Sequence, residues 1–177
     1  MFFHQSQAIK KFMSQNYLVF ESYNDATYIK EYYNQESDGF LVIHRKHGEG
    51  EIEANKMIGL MLAKHGYRVV LKANQPSVRS ADATLNDKIW EFKTISDAKN
   101  LSNRVQGNIK NGKKQAANIL IFINQLYNAN DITKGIYNAI KFDKDEAAQK
   151  MAILFQSGKL IIIERAEVLD KSYRKKF

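Results

Sequence analysis

Residues 79–95 read RSADATLNDKIWEFKTI, and the fold and chemistry predicted for this chain both depend on this stretch. Residues 81–85 alternate apolar with polar side chains, as a half-buried strand does. An Asn-Asp-Lys sequence at 86–88 then favours a turn. Residues 89–95 are rich in β-branched and aromatic types, which suit a second strand. The stretch is therefore predicted to form a hairpin of two short strands.

The hairpin carries three charged side chains that are expensive to bury. On a period of two, Glu91 and Lys93 share one strand face with Ile89 and Ile95, while Asp82 belongs to the strand before them. Such charges need compensation, and a divalent metal ion can supply it. Asp82 and Glu91 are therefore predicted metal ligands. Lys93 is predicted to orient a water molecule or to stabilise charge that develops on a phosphate.

Length and composition exclude some classes of protein and favour others. The chain has 177 residues and 44% hydrophobic residues, which is enough for one sizeable core. It has no cysteine, so disulfides and thiolate zinc sites are excluded. There is no apolar run of about 18 residues and no signal-peptide pattern, so no membrane segment is predicted. The net charge of +8 favours a polyanionic partner, with nucleic acid first and an acidic binding protein second.

The remaining elements surround the hairpin. Helices are predicted over 6–14, 49–65, 101–117, 131–140 and 146–155, and strands over 17–20, 39–43, 67–71, 118–124 and 160–163. The basic tail at 171–177 is predicted to fray. This order predicts an α/β fold, with a mixed central sheet flanked by helices.

Two of the predicted helices carry candidate functional residues. Glu53, or alternatively Glu51, lies at the start of the 49–65 helix and can complete a metal shell; a favourable charge at a helix N-terminus is the simpler interpretation. In the 101–117 helix, the residues expected to contact phosphates are Arg104, Lys110, Lys113 and Lys114. A solvated charged helix face is the alternative interpretation.

Asp82, the Glu91-x-Lys93 strand and a following helix with Gln115 resemble the PD-(D/E)XK nuclease superfamily. This likeness covers roughly residues 48–125, preceded by an accessory segment over residues 1–47; the nuclease-like α/β domain is predicted to span residues 48–177. Ala81 stands where many members of the superfamily have proline.

More narrowly, the sequences ADA at 81–83, WEFKT at 90–94 and KQAANILI at 114–121 are similar to one group of bacterial toxins. They resemble the C-terminal nuclease domains of contact-dependent growth inhibition toxins and related mobile-element proteins. The resemblance implies a metal-dependent RNase that often acts on transfer RNA and uses Mg²⁺ or another divalent ion such as Mn²⁺ or Zn²⁺. It also implies delivery from a larger secreted effector, action in the cytoplasm and neutralisation by an acidic immunity protein.

The resemblance assigns metal binding to Asp82 and Glu91, catalysis to Lys93 and a supporting role to Gln115. Three alternatives stay open. The chain can be a DNA endonuclease of a mobile element, or a nucleic-acid-binding module without catalysis. It can also be an interaction protein in which Glu91 and Lys93 form a structural ion pair.

Overall fold

The computed structural model describes residues 13–74 and 80–177 of the chain. Contacts divide the protein into two units, Met1–Ala73 and Asn74–Phe177. The domain boundary after residue 47 stays a prediction, and the helix predicted over 6–14 lies mostly outside the described residues. No helix in the two described ranges is both long and apolar enough to cross a membrane.

The described part of the first unit contains two helices and a mixed arrangement of strands. Strand β1 pairs antiparallel with β2, and β2 pairs parallel with β3. The elements are α1 (Gln15–Ser22), β1 (Tyr28–Tyr33), β2 (Phe40–His44), α2 (Ile52–Lys64) and β3 (Arg68–Leu71).

Residues 17–20 were predicted to form a strand, and that prediction is wrong because they lie within α1. The Ser14 side chain caps this helix by accepting a hydrogen bond from the backbone N–H of Tyr17 at 3.0 Å. Only Phe20 of the helix is buried. An aromatic run has a strand propensity, but local capping and packing override it here.

Helix α2 confirms the helix predicted over 49–65. Asn55 and Gly59 of this helix are buried, whereas Met57 is 40% exposed. A Cβ atom at Gly59 would lie 2.7 Å from Leu41 Cδ1, so the glycine allows α2 to pack closely on β2. Gly66 follows the helix with φ +84°, the left-handed conformation expected after a helix end.

The second unit is a mixed sheet covered by helices. Strands β4 to β8 follow one another in order; β4–β5 and β7–β8 are antiparallel, and β5–β6 and β6–β7 are parallel. The predicted α/β class is confirmed. The elements are β4 (Ala83–Leu85), β5 (Lys88–Ile95), α3 (Leu101–Gly112), β6 (Asn118–Ile123), α4 (Ala129–Lys141), β7 (Lys150–Phe155), β8 (Leu160–Glu164), α5 (Arg165–Leu169) and a 3₁₀ helix (Ser172–Lys176).

The core of the second unit lies between the sheet and helices α3 and α4. Val105 and Ile109 of α3 and Ile132 and Ile136 of α4 are buried against alternate residues of β6, β7 and β8. Strand β6 is apolar from Ile119 to Ile123 and buried on both faces, as expected for a central parallel strand.

The prediction of a helix over 146–155 is wrong, because residues 150–155 form β7 between β6 and β8. The periodicity of a short apolar run does not distinguish a helix from a strand, so pairing with the two neighbouring strands determines its structure. Asn128 caps α4, which begins at Ala129 and not at residue 131 as predicted. The tail does not fray, because Tyr173 is fully buried and its hydroxyl donates to the Thr133 carbonyl at 2.7 Å.

A buried carboxylate joins three segments of the second unit. Asp143 accepts hydrogen bonds from Lys113 Nζ at 2.5 Å, Arg165 Nη1 at 2.8 Å and the backbone N–H of Ala148 at 2.9 Å. Burial alone would raise the pKa of Asp143, but these hydrogen bonds and charges outweigh it and hold its pKa below the usual range. Asp143 therefore ties the end of α3 to the start of α5.

We expect Asp143→Asn to lower the free energy of unfolding at pH 7 by about 3–5 kcal/mol, because it leaves Lys113 and Arg165 without their buried counter-charge. The native pKa of Asp143 is depressed, so its stabilisation is present above the unfolded pKa of about 3.9 and disappears as pH falls through the native pKa. Urea unfolding of both chains at pH 7 and at low pH measures this difference.

Asp145→Asn is the matched control, since Asp145 is an exposed carboxylate two residues along the same loop. Its unfolding free energy should stay within about 0.5 kcal/mol of the wild type at both pH values. An Asp143→Asn loss that does not shrink in acid would contradict the assigned charge interaction.

Candidate active site

The hairpin predicted around residue 87 is present, and its turn fixes the strand register. Asn86 and Asp87 have φ values of +47° and +67°, so the loop has the two left-handed residues of a type I′ turn. Leu85 then pairs with Lys88, and Ala83 pairs with Trp90. Continued by one residue, this antiparallel register sets Asp82 across from Glu91. The Asp82 Oδ2 atom accepts a hydrogen bond from the backbone N–H of Phe92 at 2.7 Å.

The register also decides which face of β5 carries the charged residues. Trp90 and Phe92 are buried on one face. Glu91 and Ile95 lie on the other, where Ile95 joins the core beneath α3 and Glu91 is only 1% exposed. A Cβ atom added to Gly112 would lie 3.4 Å from Glu91 Cγ. The carboxylate therefore lies against the C-terminal end of α3.

One oxygen of the Glu91 carboxylate is shared by two donors. Lys93 Nζ and Gln115 Nε2 both donate to Glu91 Oε1 in short hydrogen bonds. Within residues 13–74 and 80–177, the second oxygen, Oε2, is buried and has no hydrogen-bond partner. A buried carboxylate oxygen without a donor is costly, and a cation bound to it would offset that cost.

The electrostatics of Glu91 reflect that burial. Loss of solvent raises its pKa to about 7, and the negative charge of Asp82 adds to the increase. The hydrogen bond and positive charge of Lys93 act in the opposite direction without cancelling it. Asp82 and Glu91 are thus close enough for their negative charges to repel each other. Two carboxylates that bind one cation repel each other in the same way when the cation is absent.

The donor set fits a hard divalent ion. Asp82 and Glu91 offer carboxylate oxygens only, and Mg²⁺ or Mn²⁺ is commonly held by one or two carboxylates together with water and substrate phosphate. Zinc prefers nitrogen and sulfur ligands, so this pair suits it less well. No group of three or more histidine, aspartate or glutamate side chains within the described ranges forms a preorganised metal cluster.

The other predicted site residues are distributed over both units. Glu53 is an exposed residue in the first turn of α2, in the first unit, and Glu51 immediately precedes that helix. The participation of either glutamate in the site stays a prediction. The supporting role of Gln115 stays a prediction, and its predicted place within a helix is wrong, because the helix ends at Gly112 and not at residue 117.

The predicted phosphate contacts divide into two sets. Arg104, Lys110 and Lys114 are exposed and available to a ligand. Lys113 is instead engaged with the buried Asp143. Its charge is balanced inside the fold, so it is the weakest candidate of the four, and the contacts themselves stay a prediction.

Sequence reasoning missed two residues that position the site. Gly112 lets the end of α3 approach both Glu91 and Ile119, since a Cβ atom there would lie 3.1 Å from the Ile119 side chain. Asp143 holds Lys113, two residues before Gln115. A glycine immediately before Lys-Lys-Gln was a visible signal for the first residue. No sequence pattern pairs Asp143 with a lysine 30 residues away.

Comparison with known proteins supports the resemblance over part of the chain. Residues 79–160, less than half of the chain, match the family model for the contact-dependent growth inhibition CdiA C-terminal domain. A comparison with curated protein sequences finds no match. Among solved structures, the chain is similar to one from a CdiA-CT/CdiI toxin and immunity complex from Burkholderia pseudomallei, at 16% identity and a TM-score of 0.45. That alignment covers 65% of this chain and 85% of the other. The segment similar to the CdiA C-terminal family thus includes Asp82, Glu91, Lys93 and Gln115.

Proposed function

We propose that this chain is a metal-dependent nuclease that hydrolyses RNA, and that it serves as the toxic domain of a contact-dependent growth inhibition protein. One observation carries the proposal: in the described part of the chain, one oxygen of the buried Glu91 carboxylate has no hydrogen-bond partner, while Lys93 and Gln115 both donate to the other oxygen. The similarity of residues 79–160 to the CdiA C-terminal family supports the biological role.

Each residue has a separate task in this proposal. Asp82 and Glu91 hold the ion, which supplies Lewis-acid polarisation of the phosphate and lowers the pKa of bound water. Lys93 places a positive charge beside Glu91, where it can orient the attacking water or stabilise the charge that develops on phosphate oxygens. Gln115 fixes one Glu91 oxygen by donating to it, which leaves the other oxygen for the ion.

The charge of the whole chain suits an anionic substrate. A net charge of +8, with Arg104, Lys110 and Lys114 exposed, favours attraction of a phosphate backbone. The same charge suits neutralisation by an acidic immunity protein. As the C-terminal domain of a larger secreted effector, the chain would act in the cytoplasm of the cell that receives it.

The Glu91 carboxylate and the Lys93 ammonium should each be required for cleavage. We expect Glu91→Gln and Lys93→Met to reduce hydrolysis of RNA at least about 100-fold. Incubation of each chain with total RNA, transfer RNA and duplex DNA, in Mg²⁺, Mn²⁺ or chelator, measures the loss and identifies the substrate. A wild-type rate in both variants would contradict the proposal, and cleavage of duplex DNA alone would favour the endonuclease alternative.

Two exposed residues of the second unit provide matched controls. Glu146→Gln removes a carboxylate outside the site, and Lys88→Met removes an ammonium from the exposed start of β5. Both variants should cleave at the wild-type rate. Mg²⁺ or Mn²⁺ should raise the melting temperature of the wild type and of both controls, but not that of Glu91→Gln, because only a chain with an intact site binds the ion when folded.

Removal of the Gln115 amide should have a smaller effect than removal of Glu91. Gln115→Ala leaves both predicted metal ligands in place and deletes one donor to Glu91, so we expect about a 10–100-fold loss of activity or of metal affinity. Gln106→Ala, a change in α3 away from Glu91, should behave as the wild type. Equal activity of the two alanine variants would show that Gln115 does not position Glu91.

A further inference from the structure

Helix α3 has a polar stripe that the proposed catalytic chemistry does not use. Helical spacing aligns Asn103, Gly107 and Asn111, with Arg104 and Asn108 beside them. The opposite side of the helix is buried in the core through Val105, Ile109 and Gly112. The stripe therefore faces away from the core along the whole length of α3.

A surface groove runs along this stripe. It has a volume of about 510 Å³ and is lined by loop residues 97–99 and by Asn100, Asn103, Arg104, Gly107, Asn108 and Asn111. Its charged lining residues are only one lysine, one arginine and one aspartate, so neutral amides outnumber charges. A surface that bound phosphates alone would be richer in lysine and arginine.

Three of these amides have no task within the fold. In the described part of the chain, no hydrogen bond involves the side chain of Asn103, Asn108 or Asn111. Other asparagines of the same unit do have such tasks: Asn118 Nδ2 donates to the Ile89 carbonyl at 2.8 Å, and Asn100 Oδ1 accepts from the Asn103 backbone N–H at 3.0 Å. The groove therefore presents amide donors and acceptors that make no hydrogen bond within the described part of the fold.

Gly107 leaves space in the middle of the stripe. A Cβ atom there would have no atom within 4 Å, and its backbone is helical, so neither packing nor a left-handed φ requires a glycine. A glycine in a helix interior costs about 1 kcal/mol relative to alanine. A gain in ligand binding would offset this loss of stability if a ligand occupies the space that a side chain would otherwise fill.

The stripe leads toward the candidate active site. Asn111 lies four residues before Gln115, which donates to Glu91. Asn103 and Asn111 are separated by two helical turns, or about 12 Å along the axis. A chain bound in the groove would thus extend over a few nucleotides from the reacting phosphate.

From this arrangement we infer that the α3 groove binds an unpaired segment of the RNA substrate and selects it by its bases. Asn103, Asn108 and Asn111 hydrogen-bond to base edges, and Gly107 makes room for a base or ribose. Amides both donate and accept, as base edges require, whereas paired bases in an A-form helix hide those edges in a deep groove. This inference rests on the proposed nuclease function and assigns where that nuclease reads its substrate.

Binding and cleavage test the inference separately. Binding is measured by fluorescence anisotropy with 12-nucleotide single-stranded RNAs of varied sequence and with their duplexes, in the full chain carrying Lys93→Met. Cleavage of the same RNAs is measured in the otherwise wild-type chain. Asn108→Ala and Asn111→Ala should each weaken single-strand binding about tenfold and raise KM by a similar factor, with kcat nearly unchanged.

Salt dependence separates base contacts from phosphate contacts. The asparagine variants should keep the parent slope of log Kd against log salt, because amides release no counterions. Arg104→Gln should reduce that slope by about one. Asn138→Ala, an asparagine of α4 outside the groove, is the matched control and should change neither Kd nor the slope.

The glycine provides the sharpest variant because stability and binding should change in opposite directions. Gly107→Ala should raise the melting temperature by about 2–4 °C. Gly107→Leu should keep the wild-type melting temperature or exceed it, yet weaken single-strand binding at least as much as Asn108→Ala does. Gly50→Ala, at another glycine with no atom within 4 Å of an added Cβ, should leave RNA binding unchanged.

Unchanged Kd and KM in Asn108→Ala, Asn111→Ala and Gly107→Leu, in a chain that cleaves RNA, would overturn the inference and leave the proposed function standing. Equal losses for single strands and duplexes would also overturn it. Absence of cleavage by the wild type would overturn the proposed function instead, and the binding measurements would still decide whether the groove selects unpaired RNA.

Discussion

The buried carboxylate of Glu91 is the interaction on which the candidate site depends. It is held between strand β5 and the end of α3, at 1% exposure, and it has two donors on one oxygen. Burial of a carboxylate is opposed by its lost hydration, which appears as a pKa raised to about 7. Lys93 and Gln115 offset part of that cost. The remainder falls on the second oxygen, which has no hydrogen-bond partner among the described residues and whose free energy a cation would lower.

The turn after α3 is held by hydrogen bonds to two buried carboxylates. Glu91 accepts from Gln115, and Asp143 accepts from Lys113, two residues earlier. Gly112 permits the close approach that both contacts need. Functional side chains need supporting contacts of this kind to hold their geometry. Stability and chemistry therefore use the same short segment.

Three parts of helix α3 have different roles. Its apolar side builds the core with Val105 and Ile109, its C-terminal end lies against Glu91, and its outer side carries Arg104 and several asparagine side chains. Gly107 makes the helix less stable than alanine would, although a Cβ atom at this position would contact no described atom within 4 Å. Local cost without a structural reason is common where a surface has a ligand to fit.

The sequence by itself determined the hairpin, the face shared by Glu91 and Lys93, the central strand β6 and the α/β class, because each follows from local periodicity, turn chemistry or burial on both faces. It failed at residues 17–20 and 146–155, where short apolar runs lack a period and capping or strand partners decide. Only the tertiary structure decided that α3 ends at Gly112, that Lys113 pairs with Asp143 and that one Glu91 oxygen lacks a donor within residues 13–74 and 80–177. Those features arise from contacts between residues far apart in sequence, and no local pattern encodes them.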